Sequence, residues 1–151
     1  MAEYLNNDIQ LVAPNAPVLL RTSIGCNKGF IYHRPESGIL ILRGIVNNPC
    51  ASFARYKATF NANIAVPEDG TAGPIAVALV LDGEPILTSR AIVTPTVVDA
   101  YFNVTCTATI DVPRGCCFNL AVENVSGTAT TATTIPSINV QNSNLVVDRT
   151  A

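Results

Sequence analysis

Phe102-Asn103-Val104-Thr105-Cys106-Thr107-Ala108-Thr109-Ile110-Asp111-Val112 is the stretch that decides the fold. Phe102, Val104, Cys106, Ala108, Ile110 and Val112 alternate with Asn103, Thr105, Thr107, Thr109 and Asp111. Successive side chains of a strand point to opposite faces, so this period of two specifies a strand with one face buried and one face wet. The same rhythm occurs upstream, where Tyr56, Ala58, Phe60, Ala62 and Ile64 alternate with Lys57, Thr59, Asn61 and Asn63. Between the two lies Ile75-Ala76-Val77-Ala78-Leu79-Val80-Leu81, an apolar run of strand length that predicts burial on both faces or cover by a neighbouring subunit. It stops at Asp82-Gly83, a pair suited to a type I′ hairpin turn, and resumes through Glu84-Pro85-Ile86-Leu87.

Shorter runs extend the pattern outward: Gln10 to Val12, Val18 to Thr22, Phe30 to His33, Ile39 to Ile45, Ala91 to Val93, Phe118 to Val122, Ser137 to Val140 and Asn144 to Asp148. Turn residues separate them, among them Pro35-Glu36-Ser37-Gly38, Pro67-Glu68-Asp69-Gly70 and Pro113-Arg114-Gly115. No amphipathic helical period is evident. About ten short strands at this spacing predict an all-β fold, a sandwich or barrel. Residues 1–9 read as an N-terminal arm and residues 10–151 as a single domain.

Composition agrees with a self-sufficient sheet protein. A chain of 151 residues with 48% hydrophobic and only 13% charged residues is long enough to build one core without staples. The formal charge of −2, with no basic run, supplies no footprint for a polyanion, so no nucleic-acid partner is expected. No apolar run approaches the ~20 residues that span a bilayer, and no membrane partner is expected. Met1-Ala2-Glu3-Tyr4-Leu5-Asn6-Asn7-Asp8 lacks the basic and apolar regions of a secretory signal, so synthesis in a cytoplasm is the expectation.

The residues that carry chemistry are few. His33 is the only histidine, placed at a strand end entering a turn, and it reads as a surface or strand-edge side chain rather than a general base. Five cysteines, Cys26, Cys50, Cys106, Cys116 and Cys117, form no C-x-x-C pair, so structural zinc is not indicated. They read as buried thiols or a disulfide, and their odd number leaves at least one free or paired between chains. Cys106 lies in the apolar series of its strand, Cys117 lies in the opposite phase, and Cys116 shares the phase of Phe118. The acids fall mostly in turns, and no spacing singles out a glycosidase pair; Pro67-Glu68-Asp69-Gly70 lacks the ligand alternation of a calcium loop. Phosphate-binding glycine motifs are absent. No catalytic residue, metal or cofactor is assigned.

Asn103-Val104-Thr105 and Asn124-Val125-Ser126 match the glycan acceptor triplet but read as packing and turn residues. The low-complexity stretch Ser126 to Pro136 reads as an exposed loop. A carbohydrate-binding module would need an exposed aromatic platform, and the loops Ala65 to Pro74 and Ser126 to Pro136 contain no aromatic residue.

Taken in order, "ATFNANIAV", "IAVALVLDGEPI", "FNVTCTATIDVPRG", "CFNLAVENVSG" and "INVQNSNLVVDR" resemble the strands of the trimeric jelly-roll domains of the tumour necrosis factor and complement globular-head type. The resemblance covers about residues 55–149 and is one of pattern. Within that group the chain is similar to spore-surface and phage head-fibre relatives, and the whole chain resembles small prophage-encoded proteins of gut Firmicutes. The resemblance implies an antiparallel jelly-roll β-sandwich of about 8–10 strands over residues 10–151, assembled as a homotrimer with no shared catalytic residues. It implies a virion structural protein, a capsid decoration or head-fibre module at the virion surface, made in the bacterial host cytoplasm. Its partners are then itself and the major capsid protein or another particle component. Glu3, Tyr4 and Leu5 of the arm are the expected docking residues. The alternative is a spore-coat or self-assembling surface-filament subunit, at the spore or cell surface, cross-linked through cysteines. The chain departs from animal members in having no Trp, and from stalked spore-surface members in having no collagen-like repeat.

Overall fold

The long alternating segments become two neighbouring strands of one sheet. A computed structural model describes residues 1–25, 30–45, 48–126 and 136–150. In chain order the strands are β1 (Ala2–Asn6), β2 (Gln10–Val12), β3 (Thr22–Gly25), β4 (Ile31–His33), β5 (Leu40–Arg43) and β6 (Phe53–Ala65). They continue with β7 (Ile75–Leu81), β8 (Glu84–Pro85), β9 (Ala91–Val93), β10 (Phe102–Pro113), β11 (Cys117–Asn124) and β12 (Ile138–Arg149). Sheet A runs β10-β6-β12-β1-β3, with β2 beside the start of β12; sheet B runs β4-β5-β11-β7-β8, with β9 also on β7. Every described strand pair is antiparallel, so the chain folds as the expected jelly-roll sandwich.

The core sits between the sheets. β6 pairs β10 without a slip, from Phe102 opposite Ile64 to Pro113 opposite Phe53. Register decides which side chains are buried: Tyr56, Phe60 and Ile64 meet Leu145 and Val147 of β12 and Leu42, Leu79 and Leu120 of sheet B in one cluster. The apolar run of β7 is buried on both faces within the chain itself, with Val77 and Leu79 in the core and Ala76 and Ala78 packed against Val125 on the outside. The Asp82-Gly83 turn has positive φ at both residues, 49° and 85°, as a type I′ turn requires.

Several expectations are corrected. Residues 2–6 do not hang free as an arm: they are strand β1, hydrogen-bonded to β12 on one side and β3 on the other. Val18 and Leu20 are buried as their alternation implies, but the strand over Val18 to Thr22 does not form. The Gln10 side chain takes the place of a ladder there, accepting from Leu19 N at 2.9 Å and donating to Leu19 O at 3.0 Å. After β8 the chain turns into a short 3₁₀ helix, Leu87–Ser89, because Ser89 Oγ accepts from Leu79 N at 3.0 Å and donates to Ile86 O at 2.6 Å. The two runs expected over Ser137 to Val140 and Asn144 to Asp148 are one strand, β12, with a register shift between Gln141 and Asn144. Asn142 absorbs the bulge with φ 54°, and Ser143 Oγ donates to the Asn6 carbonyl at 3.2 Å.

Candidate functional site

Two buried polar clusters account for the residues that sequence reading marked for chemistry. His33 faces inward on the edge strand β4 and is buried, which corrects the surface reading. Its Nε2 lies 2.9 Å from the Ser37 carbonyl, which can only accept, so Nε2 carries the proton in the neutral ring. Nδ1 then accepts from Ser23 Oγ at 3.1 Å, and the Tyr4 ring packs against the imidazole at 4.8 Å between centroids. Ser23 and His33 form a hydroxyl–imidazole pair that joins sheet A to sheet B. They lie ten positions apart on strands of different sheets, so no spacing rule brings them together. Tyr4 is 0% exposed, which removes it from any docking role, and burial pushes its phenol up to about 12. Glu3 and Leu5 are half-buried on the outer face, where Glu3 Oε1 accepts from Asn144 Nδ2.

The second cluster surrounds Asn124, whose side chain is also 0% exposed. Nδ2 donates to Val12 O at 3.1 Å and Pro136 O at 2.8 Å, while Oδ1 accepts from Ser126 N at 3.0 Å and from Ser126 Oγ. Ser126 Oγ in turn accepts from Ala76 N at 2.9 Å. This carboxamide is fully engaged and has no room for a glycan. Asn103 lies in the polar ladder of sheet A, as its packing reading implies.

The thiols separate by environment. Cys106 is buried, its Sγ 3.5 Å from the Val77 carbonyl, and burial pushes the thiol up to about 11. Cys50, Cys116 and Cys117 are exposed and unpaired. Cys116 does not follow Phe118 into the sandwich: it closes the Pro113–Cys116 turn, with its N donating to Pro113 O at 3.0 Å and its carbonyl accepting from Gly44 N at 2.9 Å. The segment carrying Cys50 reaches the same end of the sandwich, since Arg114 N donates to Ser52 O at 2.9 Å. Cys26 and most of the Ser126 to Pro136 stretch lie outside the described residues. Among the described residues no three metal-ligating side chains group together, and no helix is long and apolar enough to cross a membrane.

Across β6 and β10 the outward face of sheet A is a polar lattice. Asn61 Nδ2 donates to Asn103 Oδ1 at 3.2 Å and Thr105 Oγ1 at 3.0 Å; Asn103 Nδ2 donates to Asn61 Oδ1 at 3.0 Å and Asn63 Oδ1 at 3.1 Å. Thr59 and Thr107 hydroxyls lie 3.4 Å apart. At the far end Arg55 grips Asp111 with two parallel bonds of 2.7 and 2.8 Å, which lowers the Asp111 carboxyl. Beside this lattice β9 and the 3₁₀ turn lie against β10. Leu87 and Ile92 are exposed in that flanking segment, as are Val97, Tyr101 and Phe102 where the chain enters β10, Leu87 at 69% and Phe102 at 42%.

This architecture has solved counterparts. The globular domain of zebrafish complement 1qA superposes with a TM-score of 0.54 at 14% identity, over 99% of this chain and 97% of that one. The Eiger tumour necrosis factor structure from S. frugiperda gives 0.57 at 10% identity, over 100% and 92%. The fold is the jelly roll of the complement 1q and tumour necrosis factor domains. At these identities the likeness is one of fold alone. No protein-family model and no curated protein matches the chain.

Proposed function

We propose that this chain is a non-enzymatic building block of a larger assembly, a homotrimeric jelly roll that decorates a bacteriophage capsid or forms a head-fibre module at the virion surface. The observation that carries the reading is a complement 1q-like sandwich that leaves Leu87, Ile92, Val97, Tyr101 and Phe102 exposed in the segment flanking β10. Exposed apolar side chains mark contact surfaces, and an edge laid on the neighbour's sheet is a heterologous contact, the type of interface that a closed ring such as the proposed trimer uses. Glu3 and Leu5 of β1 then sit on the sheet that the neighbour covers. The phage assignment rests on the sequence resemblance, and synthesis in the host cytoplasm follows from it. Its test is co-sedimentation of the purified protein with capsids of the phage whose genome encodes it, stripped of this chain. Saturable binding in multiples of three supports the reading, and protein left wholly in the supernatant contradicts it.

A second reading follows from the three exposed thiols at one end. In a spore-coat or surface-filament subunit, Cys50, Cys116 or Cys117 joins neighbouring subunits through disulfides. Thiol-sensitive ladders of native material on non-reducing gels favour this reading, and their absence favours the phage module.

A further inference from the structure

The outward face of sheet B differs in kind from that of sheet A. Strand alternation turns Tyr32 of β4, Ile41 of β5, Asn119 and Ala121 of β11 and Val80 of β7 to one surface, and the ladders set Tyr32 opposite Ile41, Ile41 opposite Asn119, and Ala121 opposite Val80. Two depressions meet at Ile39. One, of about 260 Å³, is lined by Tyr32, Arg34, Ser37 and Ile41; the other, of about 470 Å³, is lined by Val80, Ala121, Asn119, Asp82 and Glu123. Together they fall in the size range of small-ligand sites.

The chemistry of the lining is specific. Tyr32 is 50% exposed and forms, with Ile39 and Ile41, an apolar platform. Around it the Arg34 guanidinium, the Asn119 carboxamide and the Glu123 carboxylate make no side-chain hydrogen bond or ion pair among the described residues. Burial raises the Glu123 carboxyl, the mark of an acceptor partly stripped of water before any ligand arrives. A hydroxyl donated to such a group regains the bond that burial costs it. Asp82 has one carboxylate oxygen committed to Asn119 N at 2.8 Å.

An aromatic face beside aliphatic side chains, ringed by a carboxylate, a carboxamide and a guanidinium, matches a sugar ring, which offers an apolar C–H face and a rim of hydroxyls that both donate and accept. The floor strands β5, β11 and β7 have neighbours on both sides, so the floor of the groove offers no backbone edge for an added peptide strand. One cation against two carboxylates disfavours uronates and sialylated ends. We propose that the Tyr32–Ile39–Glu123 groove binds neutral pyranosides, Tyr32 and Ile39 carrying the ring face while Glu123, Asn119 and Arg34 take its hydroxyls. The proposal stands independently of the trimer, and it supplies the aromatic platform that the two loops lack.

The test is a titration of the full chain, labelled at isoleucine methyls, with the methyl glycosides of glucose, galactose, mannose, N-acetylglucosamine, xylose and fucose into the tens-of-millimolar range, with methyl glucuronide as the anionic probe. The expected result is saturable movement of the Ile39 and Ile41 methyls with at least one neutral glycoside. Tyr32→Ala then weakens binding about tenfold or more, Glu123→Gln weakens it less, and Phe53→Ala, at an exposed aromatic on sheet A, leaves it unchanged. Melting curves of the variants matching the parent show that the loss is local. Silence across the neutral panel, binding indifferent to Tyr32→Ala, or glucuronide binding as tight as the neutral sugars overturns the proposal. Sedimentation of the same samples reads the trimer separately.

Discussion

Asn124 Nδ2 donates to the Pro136 carbonyl at 2.8 Å, so a buried carboxamide at the end of β11 holds the residue that leads into β12. The same side chain holds Val12 O and Ser126 N, which ties three segments of the chain to one point. Asn124→Ala strands those groups without partners in a dry site. It is expected to cost about 2–4 kcal/mol in denaturant unfolding, well above the cost of a surface change. A loss below about 0.5 kcal/mol means that the clamp does not hold the fold.

Gly44 sits where β5 runs past the β10–β11 turn. A Cβ there meets the Pro113 carbonyl oxygen at 2.1 Å, a backbone atom that cannot move aside alone. Gly44→Ala is expected to push the turn away, break the Gly44 N to Cys116 O bond, and destabilise the protein by about 1–3 kcal/mol. Melting temperature measures this, and a variant as stable as the parent contradicts the close approach.

Cys106 and Tyr4 give stability an alkaline limit. Both groups have folded values raised by burial, to about 11 and about 12, from ordinary values of 9.0 and 10.0. The unfolded chain loses these protons first, so their contribution is complete below pH ~9 and is lost as pH climbs through the folded values. Two units on Cys106 correspond to a loss on the order of 2 kcal/mol by pH ~11. Denaturant unfolding of Cys106→Ala between pH 8 and 11 should therefore fall less steeply than that of the parent. Equal slopes contradict this.

The same burial separates the thiols by rate. At pH ~8 in a Cys26→Ser background, maleimide is expected to label Cys50, Cys116 and Cys117 within minutes and Cys106 only on unfolding. Mass spectrometry of the digested protein reads each site, and early labelling of Cys106 contradicts its place in the core.

Much of the fold is legible in the chain because alternation is a local property. The periods of two at Tyr56 to Ile64 and Phe102 to Val112 locate the paired strands β6 and β10 within a few residues, and Asp82-Gly83 locates a turn whose backbone demands those residue types. What escapes reading depends on partners far along the chain. β1 looks like an arm because nothing near Ala2 to Asn6 reveals that β12 pairs with it; its alternation of Ala2, Tyr4 and Asn6 gains meaning only beside Leu145 and Val147. The polar run Gln141 to Asn144 reads as a break because a bulge spends polar residues inside a strand. Leu19 leaves the ladder because a side chain, Gln10, imitates one. Ser23 meets His33, and Tyr32 and Glu123 come to one outward face, through sheet order alone.

The apolar edge tests assembly by substitution. Phe102→Asp with Leu87→Asp places charges on exposed positions, so the sandwich is expected to fold with unchanged circular dichroism while the oligomer separates. Unchanged assembly places the contact elsewhere on the molecule.

The most direct test of the central claim is light scattering coupled to size exclusion, on the purified chain at several concentrations, with and without reductant. For a chain of 15.9 kDa the account predicts one species of about three times that mass that persists on dilution and is indifferent to reductant. A monomer at every concentration contradicts it.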